Sequence, residues 1–347
     1  MKKFFSVAAS LILSAAMLTA CGSPAAPAAT TGAPETTSAA VTQAPETTEE
    51  TKSFHIAIVQ QLDHASLDEI RLAVEDELTK AAADKGFQVS YKEFNGQNDN
   101  TVLNQIGAQV VSDKYDAIIP IASLAAQCMV TAADGTNTPI IYAAVSDPAT
   151  AGLTDIPNVT GTSDALNTAF ILDMMLAAQP DVKTVGLLYS NSEANSQTPI
   201  AQAKEYLEQK GIAYIEKTGN STDEILTAAS SLVGRVEAVF TPTDNVVMAC
   251  EGAVAEILNQ AGIAHYTGAD SFVAAGAFTT SGVNYTELGT YTADMAVDIL
   301  LGGAVPEYHV MDGGIITVNT DTAEALGIDY SVFKTMANTV TEVTTVE

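Results

Sequence analysis

The 347 residues contain no tryptophan and few basic side chains: 14 Lys and Arg stand against 42 Asp and Glu, a formal charge of −28. A surface so acidic repels phosphate backbones and anionic lipid headgroups, so nucleic acid is not an expected partner. Cysteine is equally sparse, at 3 residues. Cys128 and Cys250 fall in predicted helices far apart in sequence, without CxxC spacing, and read as buried core residues rather than a disulfide or a metal site. No P-loop, GxGxxG, GxSxG elbow, zinc spacing or helix-turn-helix pattern occurs, so no cofactor, metal or catalytic residue is expected. Of the 4 histidines, His55 and His265 sit in strand patterns as packing residues, whereas His64 lies just beyond a strand end, where it could line a site. No nucleophile is paired with a base, so acid–base and covalent catalysis lack their minimum parts. A hydrophobic content of 47% is enough for one large or two medium cores.

Residues 1–20 have the parts of a secretory signal peptide: Lys2 and Lys3, an apolar run from Phe4 to about Leu18, then small residues. Leu18-Thr19-Ala20-Cys21 resembles the lipobox of bacterial lipoproteins. The resemblance implies a lipid (palmitate-bearing) Cys21 as the mature N-terminus, anchored to the outer face of the cell membrane. Residues 21–53 are almost entirely Ala, Pro, Thr, Ser and Glu, and cannot bury enough apolar surface to offset their ordering entropy. They read as a disordered tether.

From residue 54 onward, short β-branched runs alternate with amphipathic helical patterns. FHIAIVQ precedes a helix with Leu67, Ile70, Val74 and Leu78 at helical spacing, and Gly86 stands just past its end. The alternation continues through YDAIIPI and PIIYAAV, and resumes after NVTGTSDA with TVGLLYS, IAYIEK, EAVFTP and IAHYTG. Two such blocks predict an α/β fold of two doubly wound parallel-sheet lobes.

In open parallel sheets, ligands sit outside the carboxyl ends of the strands. Short polar residues gather at six of those ends here: Gln60, Gln61, Asp63 and His64; Ser123; Ser146 and Asp147; Ser190 to Ser196; Thr243 to Asn245; and Asp270 with Ser271. Any one of these groups is an ordinary helix cap; the set exceeds what caps require. Ser123 starts a helix whose free N–H groups suit a carboxylate, and Asp147, Asp244 and Asp270 are candidate partners for an ammonium. Together they predict a site for a zwitterion such as an amino acid. Tyr142, Tyr189, Tyr285 and Phe272 are candidates to stack on an aromatic side chain.

IVQQLDHASLDEIRLAVEDEL, FNGQND, DAIIPIASLAAQ, PIIYAAVSDPATAGL, NVTGTSD, VGLLYSNSEANS, VFTPTDNVV and GAFTTSGVNYTELG resemble, in order, stretches of the substrate-binding lipoproteins of ABC transporters. The subfamily is the one whose members bind tryptophan, tyrosine or phenylalanine. The resemblance implies a type I periplasmic-binding fold with a three-segment hinge. Its crossings fall near Gly161–Asp164, Ser281–Tyr285 and His309–Gly313; lobe 1 is 54–162 plus 284–310, and lobe 2 is 163–283 plus 311–347. It implies ligand contacts from Ser123, Leu124, Ala125, Asp147, Glu193, Asn195, Ser196, Asp244, Asn245 and Asp270, and an ABC permease as partner. The strand ends add Gln61 and Ser146 as contacts, the acidic surface favours a monomer, and the missing nucleophile–base pair predicts no enzymatic activity. A nucleoside or other small solute is the alternative ligand. One departure stands out: relatives carry Thr-Pro-Ala-Ala-Gln where this chain has Ser123-Leu124-Ala125-Ala126-Gln127. Losing that proline leaves one more N–H free at the helix start.

Overall fold

The computed structural model describes residues 51–346. The signal segment, Cys21 and nearly all of the tether lie outside the described residues. In chain order the elements begin β1 (Ser53–Gln60), α1 (Ala65–Lys85), β2 (Gln88–Asn95), α2 (Asn100–Asp113), β3 (Ala117–Ile121), α3 (Ser123–Ala132), β4 (Ile140–Tyr142) and β5 (Val159–Ser163). They continue with α4 (Thr168–Ala178), β6 (Thr184–Tyr189), α5 (Ala194–Lys210), β7 (Ala213–Thr218), α6 (Thr222–Leu232), β8 (Ala238–Thr241), α7 (Asn245–Met248), α8 (Glu251–Gln260), β9 (Ala264–Thr267), α9 (Asp270–Ala274) and β10 (Thr279–Gly282). The last are α10 (Tyr285–Leu300), β11 (His309–Val310), β12 (Ile315–Asn319), α11 (Thr320–Leu326), a 3₁₀ turn (Ser331–Thr335) and β13 (Val340–Val343).

The strands form two sheets. The first, in the order β11-β5-β4-β3-β1-β2, is parallel throughout. The second, β13-β12-β10-β9-β8-β6-β7, is parallel except where β10 meets β12. Strands such as IAIV and AIIPI are buried on both faces, as continuous apolar runs in a helix-covered parallel sheet must be. The chain passes between the sheets after β5, after β10 and after β11. The two doubly wound lobes that the alternating pattern predicts follow directly, joined by the three segments that the resemblance implies.

Helix α10 follows a strand of the second sheet yet packs on α1 of the first. Gly289 makes that crossing close: a Cβ there would lie 2.6 Å from the carbonyl oxygen of Ile70. Both lobes repeat one strand order, with the reversal between β1 and β3 in one and between β6 and β8 in the other. The carboxyl ends at such reversals form a crevice, and the two crevices face each other. Cys128 and Cys250 are buried free thiols.

Candidate functional site

A small cavity of about 30 Å³ lies between the lobes, walled by Ser66, Ser123, Ser146, Asp164, Asn195, Asn245, Phe272 and Tyr285 among others. Room for one or two waters means that the lobes are drawn together. They are held by direct polar contacts. Gln61 donates to Glu193 Oε1 at 2.9 Å, linking the two crevices; His64 Nε2 meets Asn245 Oδ1 at 3.0 Å; and Ser66 donates to Ser271 at 2.6 Å. Ser146 and Thr243 share a hydroxyl contact at 3.0 Å, and Thr198 donates to Asp147 at 2.6 Å.

On the first lobe, the apolar β3 ends at Ala122, which takes φ 76° and ψ 161° before α3 begins. That conformation is strained for a residue with a Cβ, and a second strained alanine, Ala144 (φ 55°), follows β4. Both line the cavity. The turn at Ala122 exposes the first N–H groups of α3. The Leu124 N–H, which a proline would lack, is taken by Gln61 Oε1 at 3.1 Å, and the Ala126 N–H closes onto the Ala122 carbonyl. Those of Ser123 and Ala125 find no partner among the described residues. They form a donor pair at the positive end of a helix, suited to a carboxylate.

On the second lobe, Asp244 is completely buried and accepts four hydrogen bonds: Ser190 N–H (2.7 Å), the Ser196 hydroxyl (2.6 Å), Val246 N–H (3.1 Å) and Val247 N–H (3.0 Å). It caps α7 and pins the β6 loop to it. Burial pushes its carboxyl above the usual range despite those donors. Glu193 stands before α5 without capping it; its carboxylate reaches Gln61 and, at 2.7 Å, the Asn245 amide. Burial first, then the neighbouring Asp244 charge, raises its pKa to about 7. Asn195 donates to the Thr243 carbonyl and keeps its own Oδ1 buried and without a partner. An unpaired buried acceptor costs on the order of 1–3 kcal/mol, which a ligand's N–H group would recover.

The expected contacts therefore divide. Ser123, Ser146, Asn195, Asp244 and Asn245 wall the cavity, and Gln61, Leu124, Ala125, Glu193 and Ser196 lie immediately behind it as props of those groups. Asp147 faces a neighbouring groove: burial would raise its pKa, but Thr150 and Thr198 hold it below the usual range. Asp270 lines another groove, where burial and the Glu69 charge push its carboxyl up.

Among the aromatic candidates, Phe272 and Tyr285 reach the cavity. Tyr142 is core, and Tyr189 donates to Glu216 at 2.9 Å. His64 does line the cavity, where burial lowers the pKa of its ring. His265 is wholly buried between Glu251 and Thr241, at 2.9 and 2.8 Å.

Asp164 is the wall carboxylate that strand-end reasoning passed over. It accepts from Ser146 at 2.8 Å and from the Tyr285 hydroxyl at 3.3 Å, and burial raises its pKa. Its signal was present in NVTGTSDA: Ser163-Asp164 is the polar end of β5, treated there as a hinge crossing.

The fold and the cleft between its lobes define a solute receptor of the type I periplasmic-binding class. Residues 55–339 match the family described as ABC transporter substrate binding protein, and the chain belongs to that family. It is 32% identical over 290 residues, 80% of this chain and 82% of the relative, to a protein named "Tyrosine-binding protein" from Clostridioides difficile (strain R20291).

A solved structure of an ABC domain in complex with L-Trp, from Streptococcus pneumonia, superposes with a TM-score of 0.77 at 29% identity, covering 84% of this chain and 100% of that one. A ligand-free, open substrate binding protein with adhesive properties from Clostridium difficile gives 0.64 at 32% identity, over 84% and 100% of the two chains.

Proposed function

We propose that this protein captures an aromatic amino acid between its lobes and presents it to an ABC permease. The observation that supports this reading most is the polarity of the cavity. The unpartnered N–H of the wall residue Ser123 lies on one side, with the unpartnered Ala125 N–H behind it. Asp164 and the free Oδ1 of Asn195 are available to an ammonium, and Phe272 and Tyr285 are available to a ring. Burying both charges of a zwitterion requires that each be fully hydrogen-bonded, and these groups supply a partner for each end.

Entry opens the cleft by rotating lobe 1 (54–162 with 284–310) against lobe 2 (163–283 with 311–347); closure then completes the contacts. In this reading the protein is an extracytoplasmic monomer and not an enzyme, held near its permease by a lipid on Cys21 and the tether of residues 21–53.

A thermal-shift screen over amino acids and nucleosides tests the substrate. At a ligand concentration 100 times Kd, binding adds about 2.7 kcal/mol, several degrees in Tm. Tryptophan can then be titrated directly, because the protein has none of its own. A shift with a nucleoside and with no amino acid would reject the assignment.

A further inference from the structure

The largest cavity of this lobe pair is not the cleft. A second one, about 590 Å³, lies at the hinge and is walled by all three crossings: residues 164–167, 281–285 and 313–315. Residues 336–339, between the 3₁₀ turn and β13, form its remaining side. Its size falls in the roughly 300–1,000 Å³ range of small-molecule sites.

We propose that this hinge cavity is a second ligand site, taking a small primary amine with an aromatic or aliphatic body, whose occupancy sets the hinge angle. The walls dictate the class. Leu166, Phe170, Val283, Ile315 and Met336 provide apolar surface. Asp164 is the one charged residue of the lining, with no lysine or arginine beside it, so an anion is repelled and a cation gains a partner. Asp164 Oδ2 holds only the long 3.3 Å bond from Tyr285 and can accept another donor. The Ser281 hydroxyl, buried and without a partner, adds an unused polar group to the same wall.

The position carries the consequence. Because the three crossings change their spacing when the lobes rotate, an occupant that fits one spacing shifts the population toward that angle. Asp164 and Tyr285 also line the interlobe cavity, so an ammonium on Asp164 is felt in the cleft.

Calorimetric titration with 2-phenylethylamine tests the site, using wild type and the double variant Ser66→Cys/Ser271→Cys, oxidised to clamp the cleft shut. Saturable binding is expected in both, at least about threefold tighter in the clamped form, because an occupant that fits the closed spacing must bind that spacing better. Ala337→Trp, which fills the hinge cavity, should weaken it at least tenfold, and phenylacetate should not bind. If Ala337→Trp does not fold, Asn338→Trp at the rim serves instead, and its emission should change saturably with the amine.

The proposal is overturned by the absence of saturable binding, by its loss in the clamped form, by an affinity that the clamp leaves unchanged, or by equal binding of phenylacetate. It is also overturned if a folded Ala337→Trp binds unchanged or if the Asn338→Trp emission does not respond. Failure of the amino-acid assignment would appear separately, as no amino acid binding to the unclamped protein.

Discussion

Asp244 and Glu193 show how differently two neighbouring carboxylates can be employed. With four donors already on it, Asp244 organises the second lobe's crevice more than it offers itself to a ligand. Replacing it by alanine strands those buried donors, so a loss of about 2–4 kcal/mol is expected in urea denaturation. Amino acid affinity should fall about tenfold with it as Asn195 and Asn245 lose their footing; an unchanged unfolding midpoint would show that the cap is dispensable.

Glu193 titrates in the physiological range, its pKa raised to about 7 by burial and by Asp244. A carboxyl raised above its unfolded value near 4.3 keeps its proton in the fold, so its contribution is present at low pH and is lost as pH rises through about 7. His64, whose pKa is lowered by burial, acts in the opposite sense below its ordinary value. The Tm of wild type should therefore fall relative to that of Glu193→Gln between pH 5 and 8. Parallel curves would remove Glu193 as the titrating group.

At the scale of elements, the start of α3 decides what the first lobe can bind. A helix entered through a proline would leave one N–H fewer; here Gln61 occupies the extra one, which leaves Ser123 and Ala125 as the free pair. The backbone bend that aims them is strained at Ala122. Glycine adopts that conformation freely, and relief of a strain of about 1–3 kcal/mol exceeds the entropy glycine adds to the unfolded chain. Ala122→Gly is expected to raise the midpoint of thermal unfolding by a degree or more; a lower midpoint would mean that the strain is not there.

Across the whole molecule, the direct bonds between lobes and the 30 Å³ left in the central cavity mean that a ligand must separate the lobes to enter that cavity. Ser66 and Ser271, 2.6 Å apart at their hydroxyls, are placed for a clamp. When both are cysteine and oxidised, amino acid binding should disappear, and reduction should restore it. Binding that survives oxidation would place the ligand outside the cleft.

The sequence alone determined the alternation of strands and helices, and with it the two parallel-sheet lobes. That pattern is written in local apolar periodicity, and a parallel sheet covered on both faces admits little else. It also marked six polar strand ends, because caps and ligand groups both favour short polar side chains there. Which of those ends share a cavity was decided by the tertiary structure. Asp147, Asp244 and Asp270 look equivalent in the sequence; yet one is clasped by threonines, one is spent on a cap and one faces a different groove. Asp164 became a wall of the cleft only because three distant segments cross beside it. The angle between the lobes is set by contacts such as Gln61 to Glu193, 132 residues apart, and such long-range contacts leave no local signature in the sequence.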